Sequence, residues 1–264
     1  MSDQAVRVSK ELGVGTILLN RPHAMNALDI QAKMALLAAL HDVSGDDTIR
    51  VVVLTGSGRA FCAGQDLKEH AALLACGDLD DLWSTVPDHY NPIALAIHEL
   101  DKPIVAAVNG IAAGAGASLA FLTDYRILAG SAEFNLAFAR IGLSCDTGTS
   151  WTLPRLVGAT KAMELLLNPR AISAPEALAI GIASEVVADT DFPYRVSELA
   201  RTLADGPTLA YAAIRRSIAF SATHPLAESL EVEGQMMRRT GSSEDHRSAV
   251  DAFLAKQQPQ FRGH

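Results

Sequence analysis

Apolar residues near the start of the chain first form short runs and then a helical repeat. The first two runs are separated by glycines, which predicts two strands joined by a turn. Behind Asp29, the apolar residues Ile30, Met34, Leu37 and Leu40 recur at steps of three and four, which predicts an amphipathic helix with Asp29 as its N-cap. An apolar run then predicts a buried strand, followed by an irregular loop. In order, the predicted elements are strands at residues 6–8 and 16–19, a helix at 29–43, a strand at 51–54 and a loop to residue 67.

The middle of the chain repeats the order of strand, loop and helix. A second glycine-rich segment leads into an apolar helix. The predicted elements are mostly helix over residues 68–100 with interruptions near Gly77 and Pro87, a strand at 104–108, the glycine-rich segment at 110–118, a helix ending near 123 and a strand at 125–128.

The last half of the chain reads as mainly helical beyond Phe134. Ser173 and Glu176 form a capping box with a proline in the first turn, which predicts a helix start. A boundary near Asp205 divides a body at residues 1–205 from a helical segment at 206–264. That segment cannot bury its apolar face alone, so it is predicted to pack on the body or on a neighbouring subunit.

Composition narrows the class of protein. The 264 residues are 49% hydrophobic and 20% charged, with a formal net charge of −8, which is typical of a globular protein with a large core. The acidic balance argues against nucleic acid or an anionic membrane as the main partner. The three cysteines form no CxxC pair, and no signal pattern or long apolar stretch occurs. We therefore expect a cytoplasmic protein without a disulfide framework.

Several well-known motifs are missing from the sequence. There is no HExxH, no GxxxxGK[ST] and no GxSxG, so a metal site, a phosphate loop and the usual serine hydrolase arrangement lose support. Gly114 and Gly116 follow a strand and open a helix, as in dinucleotide-binding proteins, but the next strand runs into Ala129 and Gly130 instead of an acidic residue. Taken together, the two glycine-rich loops could aim two N–H groups at one oxygen, or they could serve tight turns and close packing.

A further segment adds a family resemblance. In order along the chain, the motifs are LNRP at 19–22, RAFCAGQDL at 59–67, KP at 102–103, VNG at 108–110 and ARIGLSCDTGTSWTLPRLVG at 139–158. Together they resemble the enoyl-CoA hydratase/isomerase superfamily over essentially the whole chain. The resemblance implies an α/β fold of the crotonase type, with repeated ββα turns forming a superhelix and a C-terminal helical oligomerisation segment. It also implies an acyl-CoA thioester as substrate, assembly into trimers or hexamers, and no metal or cofactor apart from the coenzyme A of the substrate.

The resemblance also implies a site. It places the oxyanion-hole donors at the backbone N–H groups of Gln65 and Ala115. The residues implied to line the thioester and coenzyme A are Ala63, Gly64, Asp66, Leu67, Gly114 and Phe138, and those implied to gather coenzyme A at the mouth of the site are Arg21, His23, Lys256 and Phe261.

The chain departs from the hydratases of this superfamily at both catalytic glutamates. Ser118 and Phe138 stand at the matching positions, so the paired carboxylates that hydration needs are missing. Asp146 instead matches the catalytic aspartate of the epoxyphenylacetyl-CoA isomerases, a subfamily that the segments 64–67, 114–117 and 252–261 also resemble. The expected activity is therefore isomerisation of an acyl-CoA through a thioester enolate, with Asp146 as proton shuttle. The subfamily resemblance implies a ring-containing acyl group.

Four alternatives remain open at this point. Asp146 could serve only as the N-cap of a following helix, which is a frequent role for aspartate. The chain could be an enoyl-CoA hydratase or a Δ3,Δ2-enoyl-CoA isomerase of fatty-acid oxidation. It could be a 4-chlorobenzoyl-CoA dehalogenase, although Phe138 and Asn91 replace that enzyme's supporting tryptophan and histidine. Finally, it could be a silent paralogue that binds acyl-CoA without turnover.

Overall fold

The computed structural model describes residues 4–77 and 79–264. Its strands within these residues are β1 (Val6–Glu11), β2 (Val14–Leu19), β3 (Val51–Gly56), β4 (Ala60–Cys62), β5 (Ile104–Val108), β6 (Ile111–Ala113), β7 (Tyr125–Ala129), β8 (Glu133–Asn135), β9 (Ala171–Ser173) and β10 (Glu185–Val187). Its helices are α1 (Ile30–Gly45), α2 (Leu67–Cys76), α3 (Leu79–Thr85), α4 (Asn91–His98), α5 (Ala115–Phe121), α6 (Thr149–Val157), α7 (Ala159–Leu167), α8 (Ala174–Ala179), α9 (Phe192–Ala204), α10 (Thr208–Ser221), α11 (Leu226–Gly241) and α12 (Glu244–Leu254). Single turns of 3-10 helix lie at Pro22–Ala24 and Ala139–Ile141, and a π-helical turn lies at Val86–Tyr90.

The strands form two sheets, and the chain contributes strands to both of them in turn. The larger sheet has the order β1-β2-β3-β5-β7-β10, and the smaller has the order β4-β6-β8-β9. β1 and β2 form the predicted antiparallel hairpin, and β2, β3, β5, β7 and β10 run parallel. All five residues of β5 are buried, because parallel strands in the middle of a sheet are covered on both faces.

Three of the long parallel strands are each followed by a short strand in the other sheet. β3 leads to β4, β5 to β6 and β7 to β8, and a helix follows β4 and β6. The chain thus winds as a superhelix of repeated strand–strand–helix turns. The sequence patterns predicted the long strands, and the chain beyond Phe134 is mainly helical, as expected, apart from the end of β8 and the short strands β9 and β10. The expectation that the stretch before residue 67 is an irregular loop was wrong, because β4 lies within it. The missed strands, β4, β6, β8, β9 and β10, have three residues each, too few to display a period of two.

Helix α1 begins where the sequence predicts, but its buried face differs from the predicted one. The Asp29 side chain accepts a hydrogen bond of 2.8 Å from the Ala32 N–H, which confirms the N-cap. Met34 is 60% exposed, whereas Leu36 is fully buried. The whole buried face consists of Ala32, Lys33, Leu36, Ala39, Leu40 and Val43. Apolar residues occur on nearly all sides of this helix, so spacing alone could not identify the side that meets the sheet.

The predicted helix breaks in the middle of the chain have different outcomes. Gly77 ends α2 in the left-handed conformation, with φ of +75°, as expected of a glycine C-cap. Pro87 does not break the helical course, because it lies at the start of the π-helical turn that continues into α4.

The predicted capping box at the start of α8 forms only in part. The Ser173 side chain caps α8 by accepting from the Glu176 N–H. The Glu176 carboxylate pairs with Arg170 instead of reaching back to the cap.

The C-terminal part of the chain is helical from Thr208 to Leu254, as predicted, whereas residues 255–264 are not helical. Arg215 of α10 fixes this part to the body, because its guanidinium donates to the carbonyls of Ile97 and Leu100 and pairs with Asp124. The division at residue 205 stays a prediction. Within residues 4–77 and 79–264, the helices are all too short or too polar to cross a bilayer.

Candidate active site

Two glycine-containing loops meet at one place in the fold. The first loop joins β4 to α2, and the second joins β6 to α5. Gly64 in the first loop has φ of +84°, and a Cβ added there would lie 2.6 Å from the Ala113 carbonyl oxygen and 3.2 Å from the Ala115 nitrogen. Only glycine permits both this backbone conformation and this approach. The backbone of the first loop is therefore in contact with the backbone of the second.

Two backbone N–H groups at this junction have no acceptor among the described residues. Leu28 bonds to the Gly64 carbonyl at 2.7 Å and accepts from the Asp66 N–H at 3.1 Å, which leaves the Gln65 N–H between them unused. Ala115 is the first residue of α5, where helical N–H groups have no intrahelical partner. These are the two donors that the resemblance names. Their role as an oxyanion hole stays a prediction.

Asp146 lies in a strained segment just before α6. Thr147 has φ of +52°, which is unusual for a β-branched residue, and its hydroxyl donates to Asp146 Oδ1 at 2.9 Å. The N-cap of α6 is Gly148, and no side chain caps this helix. The alternative that Asp146 is only a helix cap is therefore wrong. The carboxylate instead accepts a hydrogen bond from the Thr147 hydroxyl.

The electrostatic surroundings of Asp146 favour a proton acceptor. Burial raises the pKa of this carboxyl, while the hydrogen bond from Thr147 and the positive charge of Lys33 oppose the increase. A carboxylate with a raised pKa is a better base than an exposed one, because its proton affinity is closer to that of the group it must deprotonate.

The two positions that hold glutamates in the hydratases carry other contacts here. Ser118 is fully buried, and its hydroxyl bonds to the Gly114 carbonyl at 3.1 Å and to the Thr149 hydroxyl. Phe138 is buried, and its ring edge lies 3.9 Å from the point that a Cβ on Gly114 would occupy. Ser118 thus ties the second loop to α6, and Phe138 packs beside that loop.

Arg21 is held by groups of the protein itself, and its predicted role in gathering coenzyme A stays a prediction. Its guanidinium bonds to the Ala27 carbonyl and pairs with Asp66 at 3.0 Å and with Asp29 at 2.8 Å. Asp66 in turn caps α2 by accepting from the Lys68 N–H, so its carboxylate also points into the protein. One partly buried cation thus bridges the two aspartates that cap α1 and α2.

The remaining predicted residues do not form one cluster within a single chain. The Phe261 carbonyl accepts from Arg50 Nη1 at 2.8 Å, and Arg50 lies just before β3, whereas the loop with Gln65 comes after β3 and β4. The predicted role of Phe261 at the coenzyme A site stays a prediction. The other members are His23 and Lys256, which are exposed, Leu67, which is 56% exposed, and Ala63, which is half-buried.

The sequence analysis missed Lys33 and Tyr90, which are both buried beside Gln65. Lys33 Nζ donates to the Gln65 side-chain oxygen at 3.2 Å, and the Tyr90 hydroxyl donates to the same oxygen at 2.7 Å. The signal that could have found Lys33 is its spacing of three and seven residues from Leu36 and Leu40, which places a charge on the buried face of α1. No cluster of metal-ligating side chains occurs among the residues that the structure describes.

Comparisons with known proteins give the family. The family model for enoyl-CoA hydratase/isomerase matches residues 9–264. The chain is 42% identical over 263 residues, all of both chains, to a Rhodobacter capsulatus protein named "Probable enoyl-CoA hydratase", and 42% identical over 253 residues, 96% of each chain, to the 1,2-epoxyphenylacetyl-CoA isomerase of Escherichia coli. The crystal structure of an enoyl-CoA hydratase from Bacillus anthracis matches with a TM-score of 0.92 at 30% identity, covering 99% of this chain and 100% of that one. The chain therefore belongs to the enoyl-CoA hydratase/isomerase family and has the α/β crotonase-type fold that its motifs predict.

Proposed function

We propose that the protein isomerises an acyl-CoA thioester through an enolate, with Asp146 as the group that moves the proton. The thioester oxygen would lie between the N–H groups of Gln65 and Ala115. A ring-containing acyl group, such as that of 1,2-epoxyphenylacetyl-CoA, is the proposed substrate class, since one of the two relatives at 42% identity bears that name.

The two unused amides support the first half of this proposal. N–H groups fixed in advance at a site where negative charge develops lower the barrier to enolate formation, and removal of one such donor typically costs about 100- to 1000-fold in rate. Gly64 allows the two loops to come into contact, and the Ser118 hydroxyl holds the second loop by donating to the Gly114 carbonyl. Neither donor depends on its side chain, so an alanine at position 115 is compatible with the role.

The observation that carries the proposal is the state of Asp146. This carboxylate is half-buried and caps no helix, while the two positions that would hold a pair of glutamates are Ser118 and Phe138. A single carboxylate is sufficient for isomerisation. It removes a proton from one carbon as the electron pair moves to the thioester oxygen, and it returns the same proton to another carbon as the enolate collapses, so no water enters the product.

Hydration is the second candidate, because the other relative at 42% identity is named as a hydratase. Addition of water needs a group that activates the water and a group that protonates the carbon. Asp146 alone would have to do both. We therefore rank hydration below isomerisation, and we rank dehalogenation and silent binding below hydration.

The test compares Asp146→Asn with the unchanged protein on two substrates. A 3-enoyl-CoA reports isomerisation by the appearance of the conjugated thioester, and crotonyl-CoA reports hydration by its loss. We expect isomerisation to exceed hydration in the unchanged protein, and the variant to bind acyl-CoA while losing turnover by 1000-fold or more. Asp47→Asn, on an exposed residue, is the matched control.

Three outcomes would contradict the proposal. Unchanged turnover in Asp146→Asn would remove Asp146 from the mechanism. Hydration as fast as isomerisation would favour the hydratase. Binding of acyl-CoA without turnover on either substrate, and without chloride release from 4-chlorobenzoyl-CoA, would leave the silent paralogue.

Assembly is proposed separately. Apolar side chains such as Ile218, Met237 and Phe253 are more than 60% exposed on the C-terminal helices, and a groove of about 690 Å³ lies between α6 and α10. We propose that these surfaces are covered in a homotrimer or a hexamer, in which Lys256 and Phe261 of one subunit could reach another subunit's site. Light scattering of the purified protein would give the mass, and a monomer would contradict the proposal.

A further inference from the structure

A small cavity lies beside Gln65, and a buried lysine forms part of its wall. The cavity has a volume of about 190 Å³ and lies between α1, α2, α3 and the π-helical turn. Its wall combines apolar side chains such as Ile30, Leu73 and Leu82 with polar ones. Lys33 contributes to this wall although only 1% of it is exposed to solvent.

The Lys33 ammonium group has hydrogen-bond acceptors for two of its three N–H donors. It donates to the Thr85 hydroxyl at 2.6 Å and to the Gln65 side-chain oxygen at 3.2 Å. The nearest carboxylate is Glu69, whose oxygen is 4.0 Å away, beyond hydrogen-bond distance. Among the described side chains, the third N–H therefore has no acceptor. An unsatisfied donor on a buried cation costs free energy, so this donor is poised for an acceptor supplied from the cavity.

The surroundings keep the ammonium in one place. The Tyr90 ring packs against the ammonium, with Lys33 Nζ 5.1 Å from the ring centroid. The Tyr90 hydroxyl donates to the Gln65 side-chain oxygen that also accepts from Lys33. Thr85 accepts from Lys33 and also contacts His89 at 3.3 Å. These neutral polar groups thus fix the direction of the lysine, and the carboxylate nearest to its charge is Glu69, at 4.0 Å.

The cavity is within reach of the proposed reaction centre. One glutamine side chain separates the ammonium from the backbone N–H of Gln65, which the proposed function places at the thioester oxygen. Burial lowers the pKa of Lys33, and the surrounding negative charges of Glu69, Asp29, Asp146 and Asp66 oppose that decrease. An acyl group whose thioester oxygen lies at the Gln65 N–H would have this cavity beside it.

We propose that Lys33 binds an oxygen atom of the acyl group, so that the cavity selects acyl-CoA thioesters with a hydroxyl, epoxide or carbonyl oxygen beyond the thioester. The inference rests on the proposed function for the direction in which the acyl group enters. A hydrocarbon acyl group would fill the cavity but leave the third N–H unsatisfied, whereas an oxygen accepts from it. The size fits a ring, because a protein cavity of about 150 Å³ accommodates benzene.

Binding measurements with unreactive ligands test this inference independently of turnover. Calorimetry would compare phenylacetyl-CoA with its 2-, 3- and 4-hydroxy derivatives. We expect one or more of the hydroxy derivatives to bind about tenfold tighter or better, the usual range for a hydrogen bond to a charged donor. We expect Lys33→Met, which keeps an unbranched side chain only one atom shorter but removes the charge and its N–H donors, to abolish that preference.

Three further variants separate this role from a purely structural one. Tyr90→Phe removes a hydrogen bond to Gln65 and keeps the ammonium, so the preference should survive. Lys161→Met, on an exposed lysine of α7, should leave all affinities unchanged. If Lys33→Met does not fold, Lys33→Gln carries the same expectation, because it also removes the charge.

Two results would overturn the inference. One is equal affinity of the unchanged protein for phenylacetyl-CoA and all three hydroxy derivatives. The other is a preference that persists in the neutral Lys33 variants. Failure of the proposed function is recognised differently, by absent isomerisation in a protein that still shows the Lys33-dependent preference.

Discussion

The Thr147 hydroxyl donates a hydrogen bond of 2.9 Å to Asp146 Oδ1 from a residue whose φ is +52°. A left-handed conformation of a β-branched residue costs of the order of 1–3 kcal/mol and persists only where the surrounding structure enforces it. The next residue, Gly148, is also left-handed and is the N-cap of α6. The fully buried Thr149 is the first residue of that helix. The hydrogen bond from Thr147, which the structure holds in this conformation, thus orients the Asp146 carboxylate.

Thr147→Val should shift the pH dependence of isomerisation. The hydrogen bond from Thr147 lowers the pKa of Asp146, so its loss raises that pKa further. A base must be ionised to act, and a higher pKa means that it is protonated at a higher pH. The acidic limb of the kcat/KM profile should therefore move to higher pH.

Thr152→Val provides the control for this prediction. Like Thr147, Thr152 is buried, and it lies on α6. Its hydroxyl donates to the Gly148 carbonyl and not to Asp146. Its pH profile should match that of the unchanged protein. An acidic limb that stays in place in Thr147→Val would mean that Asp146 is not the titrating base.

Gly64→Ala should destabilise the protein and disable the site. The added Cβ would lie 2.6 Å from the Ala113 carbonyl oxygen, on a residue that is also left-handed. Left-handed strain and overpacking together should cost about 2–4 kcal/mol in the free energy of unfolding, measured by urea denaturation. Since the two loops would have to separate, turnover should also fall in the fraction that remains folded.

Gly142→Ala is matched in backbone conformation but not in packing. Gly142 has φ of +75°, and a Cβ there would meet nothing within 4 Å. This variant should lose only about 1 kcal/mol. Equal losses in the two alanine variants would show that the contact between the loops adds nothing to stability.

Lys102→Met should destabilise the protein without changing its kinetics. The buried ammonium donates to the carbonyls of Val43, Ser44 and Asp46 at 2.7–3.0 Å, where α1 ends. The variant would leave these carbonyls without their donor, at a cost of about 2–4 kcal/mol in the free energy of unfolding. Below the unfolding transition, kcat and KM should stay unchanged.

The control for Lys102 is another lysine at the same end of α1. Lys10 pairs with Asp42 and Asp46 on the surface, where ion pairs contribute little. Lys10→Met should therefore leave the urea midpoint nearly unchanged. A similar midpoint for both methionine variants would contradict the assigned role of Lys102.

The cysteines should differ sharply in reactivity. Burial raises the pKa of Cys62 to about 12, and its thiol donates to the Asn26 carbonyl at 3.2 Å. Only the thiolate reacts with alkylating reagents, so Cys62 should stay unmodified at pH 8 until the protein unfolds. Cys76 is exposed and should be modified in the native state. Mass spectrometry of peptides after iodoacetamide treatment checks both, and early alkylation of Cys62 would indicate local opening of β4.

The motifs of the sequence were sufficient for the family and for the long strands. Fully apolar runs such as β3 and β5 occur where a parallel sheet is covered on both faces, and this pattern is local. The caps at Asp29 and Ser173 are also local, because each side chain bonds to an N–H three residues later. Interactions of this range leave a direct trace in the order of residues.

Only the tertiary structure decided which polar groups meet. The sequence offered Asp146 as either cap or base and Arg21 as a surface cation, and it gave no reason to group Lys33, Tyr90 and Gln65. The outcome depends on contacts between residues that are 25 to 52 positions apart. Whether a charge is neutralised or left facing a cavity is set by the sum of these distant neighbours. The sequence by itself therefore determined the fold and the family, and the three-dimensional packing decided the environment of each candidate group.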